Sequence, residues 1–133
     1  MILQIDPRSG VPIYRQVMDQ IRRLIMAGQL AEGERLEPVK NLSARLNVNP
    51  MTVSKAYGFL VEEGIVERRR GLGLFVNRID KETKARIKTE MLEEALRKAA
   101  ALAVQMGVPG EKALALFAGH LQGLDFREGR TGE

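Results

Sequence analysis

Two residues, Asn47 and Val48, are all that separates two short helical patterns in this 133-residue chain. Upstream, Val39, Leu42 and Leu46 fall on one helical face. Downstream, Asn49-Pro50 pairs a cap residue with a proline at the first helical position, and Val53, Ala56, Tyr57, Leu60 and Val61 follow before Gly64 stops the pattern. A join this short predicts a helix-turn-helix. Few other arrangements can bury two such short stripes.

The flanking segments extend that unit. Ile13, Val17, Ile21, Leu24 and Ile25 recur at helical spacing with Arg15, Arg22 and Arg23 off the stripe, which predicts a helix from Pro12 to Gly28. Before it, Ile2-Leu3-Gln4-Ile5 reads as a short strand closed by a turn at Asp6-Pro7-Arg8-Ser9-Gly10. Residues 29–37 read as a loop. After Gly64, β-favouring runs on either side of Arg68-Arg69-Arg70-Gly71-Leu72-Gly73 predict a hairpin with a basic turn. Three helices and then a hairpin is the order of a winged helix.

Beyond Asn77 the composition turns to Ala, Leu, Glu and Lys, and a long helix is expected from Lys81 to about Gln105. Gly107-Val108-Pro109-Gly110 breaks it before a second helix, about Glu111 to Leu124. Two helices of this size cannot enclose a core, since units below roughly 40 residues usually need a partner. They must cover either the winged unit of their own chain or the same helices of a second chain. The small residues Ala95, Ala99, Ala100 and Ala103 permit close approach, so the region reads as a dimerisation element carried by Leu92, Leu96, Ala99, Leu102, Ala103, Leu114, Phe117 and Leu121. The expected fold class is mainly α with a small β hairpin: a winged helix-turn-helix over residues 1–78 and a two-helix tail over 79–126. Residues 127–133 are expected to be disordered.

Charge and composition narrow the function. Residues 1–80 carry 12 Lys and Arg against 9 Asp and Glu, and the remainder 9 against 8, so a nucleic-acid surface is expected in the first part. Without cysteine there is no disulfide, thiolate metal site or cysteine nucleophile. One histidine, His120, stands apart from any acid cluster or nucleophile, so neither catalytic nor metal-binding residues are expected, and no cofactor. The start has neither the basic n-region nor the apolar core of a secretion signal, and no run approaches the roughly 18 apolar residues of a membrane span. A cytoplasmic protein without membrane contact is expected.

Five segments taken in order, Pro12-Ile13-Tyr14-Arg15-Gln16, Gly33-Glu34-Arg35-Leu36, Asn49 through Tyr57, Leu60-Val61-Glu62-Glu63-Gly64 and Gly71 through Val76, resemble the GntR family of bacterial regulators. The resemblance covers residues 10–77. The strand-like start and short two-helix tail look like its YtrA subfamily. That resemblance implies a sequence-specific, DNA-binding transcription regulator: a homodimeric repressor on a palindromic operator, often one controlling a transporter operon. The tail is too short to enclose a drug-sized pocket within one chain, so a small-molecule effector, if the protein takes one, is expected at the dimer interface or where the tail meets the winged domain. Where the family commonly reads Leu-Pro-Ser-Val-Arg, this chain has Leu36-Glu37-Pro38-Val39-Lys40. The usual serine cap is thus missing, and the family arginine becomes Lys40, cationic but without a planar fork. Leu74 stands where threonine is common on the wing.

On this reading double-stranded operator DNA is the partner. Asn49, Met51, Thr52, Ser54 and Lys55 lie at the front of the third helix, the part that enters the major groove in such proteins. Asn49 is first an N-cap and second a DNA contact, and Met51 suits a thymine methyl but serves equally as an incidental surface residue. Arg68, Arg69, Arg70, Gly71 and Gly73 fit a wing tip against the backbone or minor groove, with Lys40 as a further contact. Successive strand residues point to opposite faces, so at least one of the three arginines serves another surface. The alternative for the same fold is a non-specific architectural DNA-binding protein.

Overall fold

The computed structural model describes residues 1–127, and side chains as far as residue 124. The chain divides into two compact units between Ile87 and Lys88.

In the first unit, helix α1 (Ile13–Met26) buries Val17, Ile21 and Ile25 of the stripe its spacing predicts together with Met18 and Met26, while Ile13 and Leu24 are only half-buried. Pro12 stands just before the helix rather than inside its first turn. Helix α2 (Val39–Leu46) buries Leu42, and helix α3 (Pro50–Glu62) buries Val53, Ala56, Tyr57 and Leu60. The turn between α2 and α3 depends on Asn47, which closes α2 in the left-handed conformation (φ 58°), a geometry asparagine tolerates better than most residues. Asn49 then caps α3: its Oδ1 accepts from the Met51 N–H at 2.8 Å.

Strands β1 (Val66–Arg69) and β2 (Gly73–Val76) form an antiparallel hairpin with Val66 opposite Val76, Glu67 opposite Phe75, Arg68 opposite Leu74 and Arg69 opposite Gly73. Val66, Leu74 and Val76 are buried on its inner face, where Ile65 joins the core. The stretch read from sequence as a loop does more than connect. The Leu36 N–H donates to the Leu74 carbonyl and the Val76 N–H to the Glu34 carbonyl, both at 2.8 Å, so residues 34–36 pair with the outer edge of β2.

One expectation is overturned. Residues 2–5 form no strand, although Leu3 is buried. Two glutamines of α1 replace the strand partner: the Gln20 amide bonds both backbone groups of Gln4 (2.9 and 2.6 Å), and Gln16 does the same for Asp6 (2.8 and 2.9 Å). Side-chain amides offer the donor and acceptor that an edge strand would supply, without a ladder.

The missing serine cap of α2 also finds its compensation. Pro38 makes no side-chain cap bond. The residue before it is instead fixed twice, because the buried Tyr57 hydroxyl donates to the Glu37 carbonyl at 2.7 Å and the Arg45 guanidinium grips the Glu37 carboxylate at 2.7 and 3.2 Å. Burial pushes the Tyr57 phenol well above its ordinary range. The Arg45 hydrogen bond holds the Glu37 carboxyl below its ordinary value of 4.5. A carboxyl lowered in the folded state contributes stability above that ordinary value and loses it as pH falls through the folded one. Both side chains are partly solvated, so this contribution is about 1 kcal/mol or less. Arg45→Ala should therefore flatten the acid limb of urea midpoints below pH 4.5. Identical acid limbs in the two proteins would acquit the pair.

Helix α4 (Lys81–Met106) starts where Asp80 Oδ1 accepts from the Thr83 N–H at 2.7 Å, and helix α5 (Gly110–Arg127) follows the break at Gly107–Pro109. The second unit begins within α4. None of its side chains from α4 is buried, and Leu92, Leu96, Leu102, Val104, Leu114, Phe117 and Leu121 are among its exposed large apolar residues. The disorder expected for 127–133 lies, beyond Arg127, outside the described residues. Among the described residues no helix is long and apolar enough to cross a membrane.

Candidate nucleic-acid interface

The buried face of α3 is spoken for by the core, and this leaves its opposite face as an exposed ridge. Asn49, Met51, Thr52, Ser54 and Lys55 line one shallow recess together with Ile13 and Tyr14 of α1. Met51 is 77% exposed at its edge. A large apolar side chain held in water at the front of a helix suits a hydrophobic contact such as a thymine methyl.

Lys55 does not hang free. Its Nζ sits 4.1 Å from the centroid of the Tyr14 ring, and that ring stacks on Phe59 at 5.6 Å with a 28° tilt. A cation over an aromatic face gains about 0.5–1 kcal/mol at an exposed site, enough to bias the long side chain toward one orientation. Tyr14 is thus part of the recess although the sequence reading left it out. Its signal was an aromatic beside the α1 stripe, in the Pro12-Ile13-Tyr14 segment.

The hairpin sorts its three arginines by face. Arg68 lies on the side turned to α3, in a cleft of about 240 Å³ shared with Ser54, Tyr57, Gly73 and Arg35. Arg69 lies on the other side, with its Nε 2.9 Å from Glu67 Oε2 and its guanidinium 4.2 Å from the centre of the Phe75 ring. Arg70 is exposed at the turn, where Gly71 takes φ 74°. This is the alternation that strand geometry requires. Lys40 is exposed on α2 and lines neither recess. Among the described residues no group of three or more His, Asp or Glu is placed to hold a metal ion, and His120 is exposed on α5.

A family model of bacterial regulatory proteins, gntR family, matches residues 13–76, from the start of α1 to the end of β2. Over 111 residues the chain is 40% identical to the HTH-type transcriptional repressor YtrA of Bacillus subtilis, a match spanning 84% of this chain and 85% of that one. The chain belongs to the GntR family. A solved GntR-family transcriptional regulator from Listeria monocytogenes superposes with a TM-score of 0.72 at 27% identity, covering 83% of this chain and 96% of the other. The DNA-binding domain of AraR, crystallised with its operator ORX1, aligns at 29% identity and a TM-score of 0.50 over 57% of this chain and 94% of that domain. This GntR chain is accordingly a transcription regulator with a winged helix-turn-helix, and its nearest functional vocabulary is DNA recognition rather than catalysis.

Proposed function

We propose that this GntR regulator is a repressor that reads a palindromic operator as a homodimer, with a transporter operon as the target its family resemblance implies. The observation that carries this reading is the exposed front of α3, where Asn49, Met51, Thr52, Ser54 and Lys55 share one recess. Similarity to a protein named a transcriptional repressor supports the sign of regulation. Thr52, Ser54 and Lys55 then meet base edges and phosphates in the major groove, Asn49 and Met51 flank them, and the wing with Arg68, Arg70, Gly71 and Gly73 follows the backbone. Arg69 reaches DNA after releasing Glu67, and Lys40 contacts a phosphate beyond the recess.

The tail supplies the second half of the proposal. The exposed Leu92, Leu96, Leu102, Leu114, Phe117 and Leu121, with Ala99 and Ala103, meet the same surface of a second copy. A two-fold dimer matches a two-fold operator whose half-sites lie about one helical turn or a multiple apart.

The test is binding to labelled duplex from the protein's own upstream region, against a scrambled duplex, over a salt series. Preference of at least about 10³-fold for the native duplex is expected. Equal affinity for both, falling steeply with salt, would replace this reading with that of an architectural protein. Lys55→Ala should cost the native duplex about 1–3 kcal/mol while the scrambled duplex loses less, since a base contact is worth that much in discrimination. Equal losses on both would demote Lys55 to a backbone contact.

A further inference from the structure

Arg35 lines the cleft beside Arg68 and has been given no role in DNA contact, yet it occupies an unusual seat. Residue 35 bridges to Phe75 along the outer edge of β2. Its side chain runs across Gly73: a Cβ built on that glycine would stand 2.9 Å from Arg35 Nε and 3.4 Å from Nη2. Real Cβ atoms do not approach that closely, so the Nε–Nη2 edge of the guanidinium takes the space that a side chain at residue 73 would need. Glycine at this position, with φ 114°, serves the backbone and at the same time leaves room for the arginine.

The cleft that receives Arg35 also receives Arg68 from the facing strand and Ser54 from the front of α3. Among the described residues neither guanidinium makes a hydrogen bond or an ion pair. The carboxylate that lines the cleft, Glu37, is already held by Arg45 at 2.7 Å. At about 240 Å³ the space is smaller than the roughly 300–1,000 Å³ of drug-sized ligand sites. Two uncommitted planar forks and a hydroxyl, at the seam between recognition helix and wing, suit a phosphodiester oxygen.

We propose that Arg35, seated on Gly73, clamps with Arg68 a DNA backbone phosphate in the cleft between α3 and the hairpin. The proposal rests on the DNA-binding reading above and adds to it a contact that fixes how the duplex lies between helix and wing. Phosphate contacts position a protein on DNA without reading sequence.

The experiment compares wild type, Arg35→Ala, Arg35→Lys and Arg68→Ala on the native and scrambled duplexes over a salt series. Arg23→Ala, which removes one exposed charge from the last turn of α1, is the control for net charge. Arg35→Ala should weaken both duplexes by the same factor and lower the log–log salt slope by about 0.9, as should Arg68→Ala. Arg35→Lys should keep the slope and lose part of the affinity, because an ammonium cannot reproduce the planar fork. A wild-type slope in Arg35→Ala overturns the clamp while leaving the DNA-binding reading intact. Loss on the native duplex alone would make Arg35 a base reader and also overturns it. Wild type that binds neither duplex brings down both. Inorganic phosphate at matched ionic strength separates the two sources of this anion. Phosphate that competes with duplex through Arg35 is expected if the cleft holds a DNA phosphate. Saturable phosphate binding that Arg35→Ala abolishes but that leaves duplex affinity unchanged would place a free anion in the cleft and overturn the DNA assignment.

Discussion

Leu60→Ala will destabilise the winged unit by about 2–5 kcal/mol, a large part of the about 5–15 kcal/mol that holds an ordinary domain folded. Leu60 is wholly buried in the last turns of α3, a helix packed on α1, α2 and β1. Truncation removes apolar area and leaves a cavity that a close-packed interior fills only in part. Urea unfolding followed by helical circular dichroism checks it, and operator binding should fall only as far as the folded fraction falls. A midpoint within error of wild type would mean that the α1–α3 packing is not the keystone of this unit.

Placing charges on the tail is the second change with a large effect. Leu96 and Phe117 are 39% and 42% exposed, on helices that leave this apolar surface in water. On the proposed homodimer, Leu96→Glu with Phe117→Glu buries two carboxylates per chain in an apolar contact, and each costs several kcal/mol unless paired. Sedimentation should show a monomer, with the helical content of the winged unit kept. Two half-site contacts joined in one particle reinforce each other by about 10²–10⁴-fold, so affinity for the full operator should fall by that order while affinity for an isolated half-site is unchanged. A variant that still sediments as a dimer would move the interface elsewhere. A wild-type monomer would end the two-fold operator model.

These two experiments separate the parts of the chain by what holds them together. The winged unit owes its stability to an interior of its own, in which Val17, Ile21, Leu42, Val53 and Leu60 are fully buried. The second unit exposes leucines that a folded interior would claim, which is why its proposed role is argued from what must cover them rather than from what they touch.

Much was legible before any fold was built. Apolar spacing marked α1, α2 and α3 because a helix must bury one stripe, and a short connection between two such stripes leaves few arrangements. Asn49-Pro50 set the start of α3 by chemistry alone, since the side chain caps and the ring needs no donor. Glycines at 28, 64 and 107 marked stops because each takes a positive φ. The family's ordered segments identified a regulator from residue types at fixed intervals. What the sequence could not determine is everything that depends on groups distant along the chain. Residues 2–5 alternate like a strand, but a strand needs a backbone partner, and two glutamines of α1 took that place. Nothing local to Pro38 discloses that Tyr57 and Arg45 would anchor Glu37 in place of a serine cap. The three arginines of the hairpin look alike in sequence, and only the register against Gly73 through Val76 sends Arg68 toward α3 and Arg69 toward Glu67. Tyr14 became a seat for Lys55, and Gly73 a seat for Arg35, because packing brought α1 to α3 and residues 33–36 to β2. Local periodicity fixes which residues are buried; contacts across long sequence separations fix which charged side chains are left uncommitted and where they point.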